Sequence, residues 1–217
     1  KKVYVDKEGI SKFLSTLKYP IYYLDFETFS TAIPMFDGLK CYSQVPFQFS
    51  LHIVKKEGSK PEHHAFLYDG NGDPREDFAV ALKKLIGEKG TVLVYNQSFE
   101  IGRLKELAEH FPEHKKWIDN VLKRIVDLLV PFREFSYYNP KQQGSASIKD
   151  VLPAITGKSY KGMDIGDGGT ASAEFFKMTY EDCSDEEKNK IRENLLRYCE
   201  LDTLAEVMIA EKLGEMV

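Results

Sequence analysis

The chain has little cysteine. Cys41, Cys183 and Cys199 lie far apart, are odd in number and form no C-x-x-C pair, so neither a disulfide framework nor a cysteine zinc site is expected. The five histidines do not supply one instead: His110 and His114 have helical spacing, but Pro112 lies between them and no cysteine is near. A chain so poor in cysteine is expected in a reducing cytoplasm. No stretch approaches the roughly 18–20 continuous apolar residues that a membrane helix needs, so no membrane partner is expected. Lys1 to Asp6 lacks the basic head and apolar run of a signal peptide. There is no initiator Met, and we read the chain as a piece excised from a longer protein. An excess of positive charge is missing as well. The formal net charge of -4 argues against a protein that grips long duplexes by bulk electrostatics.

What is present suits one sizeable α/β domain. The 217 residues are 42% apolar and 29% charged, enough for a two-sided core. No repeat, low-complexity tract or linker interrupts them, so residues 1–217 are expected to form a single domain, with 1–19 as a leading helix and extension. Gly9 to Leu17 reads as that helix, ended at Tyr19-Pro20. Ile21 to Phe26 is a nearly continuous apolar run, as in a central strand covered on both faces. Val45 to Val54 alternates, with Phe47, Phe49, Leu51 and Ile53 on one face and Gln48, Ser50 and His52 on the other. His63 to Tyr68 completes an antiparallel meander.

Asp73-Pro74 then opens a helix to Ile86, and Thr91 to Tyr95 is a short buried strand. Ser98 caps a helix to about His110, and another runs from Glu113 to about Arg124. Ile125 to Val130 fits either a strand or a helix end. Arg133 to Ser147 reads as loop, Ser147 to Leu152 as a short helix cut off by Pro153, and Thr156 to Thr170, with five glycines, as a mobile loop. Ser184 and Glu187 form an S-x-x-E capping box for a last helix to about Leu213.

The chemistry concentrates in carboxylates. Asp25 and Glu27 are two apart on a strand, so both project from one face while Leu24 and Phe26 pack behind. Two adjacent acids in an apolar strand are costly unless a cation binds them, and hard oxygen ligands suit magnesium or manganese. With 34 acids in the chain, a lone D-x-E is equally well a solvated strand end. Glu100 falls in the first turn of the helix after Tyr95-Asn96-Gln97, where the helix dipole favours negative charge; plain capping chemistry explains that too. Tyr198 and Asp202 are one turn apart, on the helical face that also carries Leu195 and Ala205 and so points inward. Glu200 points elsewhere and reads as a surface residue.

D-x-E on the first strand, N-x-x-F-[D/E] after a later strand and Y-x-x-x-D on the terminal helix together resemble the DEDD exonucleases of the RNase H-like superfamily. The tyrosine variant is indicated, since the alternative would place His where this chain has Arg197. Leu24-Asp25-Phe26-Glu27-Thr28, Val45-Pro46-Phe47-Gln48-Phe49-Ser50 and Gly144-Ser145-Ala146-Ser147-Ile148-Lys149 resemble a bacterial domain-of-unknown-function family within it. The resemblance implies an RNase H-like mixed sheet, antiparallel in front and then parallel, flanked by helices. It also implies 3′–5′ hydrolysis of single-stranded DNA or RNA with two Mg2+ or Mn2+ ions. Asp25 would bridge the two ions, Glu27 and Asp202 would complete one shell, Glu100 would serve the second through water, and Tyr198 would orient the attacking water. Other nuclease or helicase modules often accompany such domains.

One departure stands out: position 100 is usually Asp, and Glu reaches a methylene further. An acidic protein is no obstacle, because metal ions cancel carboxylate charge locally and let phosphate in. Asn96 would hydrogen-bond across its turn. Arg133, Phe135, Tyr137, Tyr138, Lys141 and Lys149 interleave rings and cations suited to unpaired bases and phosphates, although an ordinary polar loop reads the same way. Asp127 reads as structural. The glycines around Asp164 and Asp167 are no P-loop, since no G-K-[ST] follows, and suit a lid. Two other readings compete: an RNase H-like binding or scaffolding domain with weak or lost chemistry, and an acid-rich α/β binding protein without nucleic acid.

Overall fold

Ten consecutive buried residues, Val45–Val54, and the almost equally buried Ile21–Phe29 supply the two strands on which the rest is assembled. The computed structural model describes residues 2–217. In chain order its main elements are β1 (Tyr4–Val5), α1 (Lys7–Leu14), β2 (Ile21–Phe29), β3 (Val45–Val54), β4 (Glu62–Leu67), α2 (Arg75–Leu85), β5 (Thr91–Val94), α3 (Ser98–His110), α4 (Lys115–Leu122), β6 (Ile125–Asp127), α5 (Val130–Arg133), β7 (Tyr137–Tyr138), α6 (Ile148–Thr156), α7 (Gly168–Tyr180) and α8 (Asp185–Gly214).

The main sheet has five strands in the order β4-β3-β2-β5-β6. β2 pairs antiparallel with β3 and parallel with β5; β3 pairs antiparallel with β4, and β5 parallel with β6. This mixed sheet is covered on both faces. On one, Leu24, Phe26, Phe49 and Leu51 pack with Phe78 and Leu82 of α2, Leu104 of α3 and Ile118 of α4. On the other, Tyr23, Phe29 and Leu93 pack with Phe175 of α7 and Leu195, Tyr198 and Ile209 of α8. Burial on both faces explains the long buried runs of β2 and β3, in which even the polar Gln48, Ser50, His52 and Glu27 are covered.

The alternation read along β3 breaks at its first ring. Glu27 pairs with Gln48 but Thr28 with Pro46, so Phe47 is the extra residue of a β-bulge. The bulge turns Phe47 away from Phe49 to the α7 side, where it stacks on Phe175 at 3.8 Å between ring centres.

Several expected boundaries move for local reasons. α1 begins earlier than Gly9, because the Asp6 carboxylate accepts the N–H groups of Glu8 and Gly9, both at 3.1 Å. Ser98 is the first helical residue of α3 and not its cap; its hydroxyl bonds the Asn96 side chain at 3.1 Å. Pro153 does not end α6, which runs on to Thr156 before Gly157 takes the left-handed conformation. The buried Val151 and Leu152 hold that helix against the core. Ile125–Asp127 resolves as a strand. Arg133–Ser147 is less loop-like than expected: β7 pairs with β1, Tyr4 opposite Tyr138 and Val5 opposite Tyr137, and a short 3-10 turn follows at Pro140–Gln142. The glycine-rich segment ends in a helix, since the Asp167 side chain caps α7 through the N–H of Thr170.

Candidate metal centre

β2 aims Asp25 and Glu27 at the α7–α8 face while Leu24 and Phe26 anchor the strand in the opposite core. At the end of β5 the chain turns through Asn96, whose φ of 72° is the left-handed conformation that Asn tolerates better than most residues. Asp127, at the end of β6, fixes that turn: its carboxylate accepts the N–H of Asn96 at 2.8 Å and of Leu129 at 2.9 Å, and bonds Arg133 at 3.0 Å. Its role in the structure is therefore to brace the turn, as read from the sequence. The turn launches α3 with Glu100 in its first turn. The long α8 supplies Tyr198 and Asp202 from 98 or more residues further along the chain.

A cleft of about 510 Å3 is lined by Asp25, Glu27, Glu100, Tyr198 and Asp202, and also by Asn96 and Lys149. Glu27, Glu100 and Asp202 are 6%, 2% and 7% exposed, too buried for water alone to solvate their charge. The Asp202 carboxylate accepts the Tyr160 hydroxyl at 2.7 Å. The Lys149 ammonium sits 5.6 Å from the ring centre of Tyr198 and 5.8 Å from that of Tyr160, and donates to the Gly166 carbonyl at 2.6 Å. The Cys199 thiol lies 3.9 Å from an Asp25 carboxylate oxygen. One donor atom each from Asp25, Glu27 and Cys199 fall within 4.8 Å of one another.

Burial is the leading cause of the raised carboxyl pKa values, and for Asp25 and Glu27 repulsion by neighbouring acids comes next. Asp25 is pushed well above the usual carboxylate range by burial and then by Asp202, Glu27 and Glu100. Glu27 rises to about 8, through burial and then Asp202, with Lys149 opposing. Glu100 rises to about 8 and Asp202 to about 7, again chiefly through burial. Among the described residues none of the four carboxylates forms an ion pair with Lys, Arg or His. One oxygen of Glu100, Oε2, is buried without any hydrogen-bond partner.

A fifth acid was missed in the sequence. Glu206 is 1% exposed, and its Oε2 also lacks a partner. Burial and then the charges of Asp25, Glu100 and Asp202 raise its pKa strongly, against a bond from the Tyr95 backbone. Its signal was present: Tyr198, Asp202 and Glu206 follow one another at four-residue spacing on one face of α8.

The aromatic loop divides. Lys149 reaches the cleft, but Tyr137 and Tyr138 do not line it. Tyr137 is buried by its pairing with β1, its ring edge-on to Phe132 at 5.8 Å, so it has no face to offer a base. Tyr138 leans toward Phe135 instead, at 5.9 Å. Phe99 and Tyr95 stand at the cleft in their place. The expected lid is tied down at two points: Lys149 holds Gly166, and Asn194 bonds Asp164 at 3.1 Å.

Residues 22–147 match the family described as domain of unknown function DUF2779. The chain belongs to that family. The matched region holds Asp25, Glu27 and Glu100 and stops short of α8. The chain is 30% identical over 229 residues to the Uncharacterized protein MG366 homolog of Mycoplasma pneumoniae, covering 94% of this chain and 34% of that protein. It is 28% identical over 215 residues to Uncharacterized protein UU173 of Ureaplasma parvum, covering 89% of this chain and 31% of that protein. The chain thus spans about a third of the length of these curated relatives. No solved structure matches it. No helix among the described residues is long and apolar enough to cross a membrane.

Proposed function

We propose that this chain is a metal-dependent nuclease of the RNase H-like, DEDD type in its tyrosine form, trimming single-stranded DNA or RNA from the 3′ end. The observation that carries the reading is the convergence of Asp25, Glu27, Glu100 and Asp202, from β2, α3 and α8, on one cleft in which none has a cationic partner. The mixed sheet, antiparallel in front and then parallel, agrees with the same reading.

The donor set fits Mg2+ or Mn2+. It is all carboxylate oxygen, and these buried groups favour their charged form only beside a cation. Asp25, Glu27 and Asp202 would hold one ion, with Asp25 shared and Glu100 serving the other. Two such ions supply Lewis-acid stabilisation of both the attacking and the leaving oxygen at phosphorus. The Cys199 thiol is a poor competitor, since Mg2+ and Mn2+ are hard ions that prefer carboxylate oxygen to sulfur.

The protein groups do the rest. Tyr198 orients the attacking water with a hydroxyl that burial keeps protonated. Tyr160 holds the Asp202 carboxylate in place by its hydrogen bond. Lys149 and the first residues of α7, Gly168 and Gly169, line the same cleft, where Lys149 offers the phosphate a positive charge. Phe99 and Tyr95 offer rings to unpaired bases.

The test is incubation of the chain with end-labelled single- and double-stranded DNA and RNA in Mg2+ or Mn2+. Stepwise loss from the 3′ end of single strands, abolished by Asp25→Ala and Asp202→Ala, is expected. Equal cutting of closed circular duplex would favour an endonuclease. The longer Glu at position 100 favours one other reading, a binding domain with weak chemistry; retained strand binding without turnover would select it.

A further inference from the structure

The polar face of β3 continues past the carboxylates to a second cluster, away from the cleft. His52 on β3 and His63 on β4 are directly opposite in the register, their rings stacked at 4.5 Å. His52 is buried, while His63 and Glu200 of α8 reach the surface. One donor atom each from His52, His63 and Glu200 lie within 4.8 Å of one another.

One assignment of the ring protons satisfies all four hydrogen bonds around this cluster. The Thr203 hydroxyl donates to the Glu200 carbonyl at 3.3 Å. Its single proton is then spent, so the contact of 2.8 Å to His52 Nδ1 requires that ring nitrogen to donate. Likewise Ser50 must donate to Thr203 across 2.6 Å, and the 3.0 Å contact between Ser50 and His63 Nε2 requires His63 to donate. Each hydroxyl and each ring has one proton to give, and this single assignment satisfies all four contacts. It leaves lone pairs on Nε2 of His52 and Nδ1 of His63. Nδ1 of His63 then lies 3.6 Å from the Glu200 carboxylate, acceptor against acceptor.

We propose that His52, His63 and Glu200 bind one zinc ion, at a site separate from the carboxylate cleft and independent of the nuclease reading. Two neutral imidazoles and a carboxylate are a zinc donor set, with a fourth position left for water. The outer N–H of each ring, held by a hydroxyl, is the support that a metal-ligating histidine needs to fix its tautomer. Both rings stay neutral near pH 7: burial, then His63 and His64, lower His52 to about 4, and burial lowers His63 although Glu200 opposes. The sequence had argued against any zinc site, because the pair is created by strand register and not by spacing along the chain.

Such an ion would clamp α8 to both β3 and β4. Its supporting hydroxyls belong to Thr203, beside Asp202, and to Ser50, which pairs with Asp25. The clamp therefore bears on the helix that delivers Tyr198 and Asp202.

The experiment is zinc binding by equilibrium dialysis against excess Mg2+, with Asp25→Asn as background to disable the carboxylate cleft. One equivalent of zinc is expected to remain bound in Asp25→Asn. Adding His63→Ala or Glu200→Gln, both at the surface, should weaken it at least about tenfold. Zinc binding that disappears with Asp25→Asn alone, or that His63→Ala leaves unchanged, overturns the proposal. Ring-nitrogen NMR on the unaltered chain gives a second reading that needs no variant: zinc, and not Mg2+, must shift His52 and His63. Unmoved histidine signals also overturn it, whatever the nuclease assay shows.

Discussion

Asp25 carries the most crowded charge in the cleft, with Asp202, Glu27 and Glu100 all raising its pKa beyond the effect of burial. Asp25→Asn removes that charge and keeps the shape. We expect it to stabilise the metal-free protein by on the order of 1–3 kcal/mol while abolishing turnover. Thermal melts with and without Mn2+ check both halves, since a purely structural acid would lose stability instead. Tyr198→Phe should slow turnover on the order of a hundredfold and leave the Mn2+-induced melting shift intact, because its hydroxyl is assigned to water and not to the ion. The pH dependence follows from the raised carboxyls. Their unfolded values lie near 4, whereas Glu27 and Glu100 stand at about 8 and Asp202 at about 7 in the fold. The folded state thus holds extra protons between those limits. The stability these three groups contribute is full below about pH 4 and is lost as the pH rises through about 7–8. Melts in chelator should fall over that window, Mn2+ should restore them at the alkaline end, and Asp202→Asn should flatten the slope.

At the scale of the elements, the short-range periodicities were legible and the long-range ones were not. Strand period put Asp25 and Glu27 on one face, and helical period put Tyr198 with Asp202, because each depends only on near neighbours in the chain. Glu206 lies on the same helical row, one turn beyond Asp202. The His52–His63 pair and the turned-over Phe47 could not be read, because both require the register of β3 against its neighbours. The loop expected over Thr156 to Thr170 takes in the first turn of α7, where Gly168 and Gly169 hide the start of a helix whose Ala171, Phe175 and Met178 recur at helical spacing and are buried. That helix earns its place through the Phe47–Phe175 stack at the bulge. Phe175→Ala should cost about 3–5 kcal/mol, read from denaturant melts. The Ser184–Glu187 capping box at the start of α8 predicts a smaller loss, about 1 kcal/mol for Ser184→Ala.

For the whole molecule, the proposed metal would be linked to the fold through mass action. A hundredfold excess of Mn2+ over its dissociation constant should add about 2.7 kcal/mol to the unfolding free energy if one site is filled, and chelator should take it away. If the chain binds a single strand as proposed, its net charge of -4 leaves the cleft and not bulk positive charge to support that binding. Its dependence on monovalent salt should therefore be shallow, with a slope well below that of a protein making six to ten phosphate contacts. The arrangement of the four acids also has a bearing on synthesis. β2 delivers Asp25 and Glu27 early, while Asp202 sits on α8, the last of these elements in chain order. Contacts so distant in sequence close late and slowly. Within this stretch of chain the strand half of the cleft is made well before the helix that completes it, so a metal site built from both halves forms only once α8 has packed against β2.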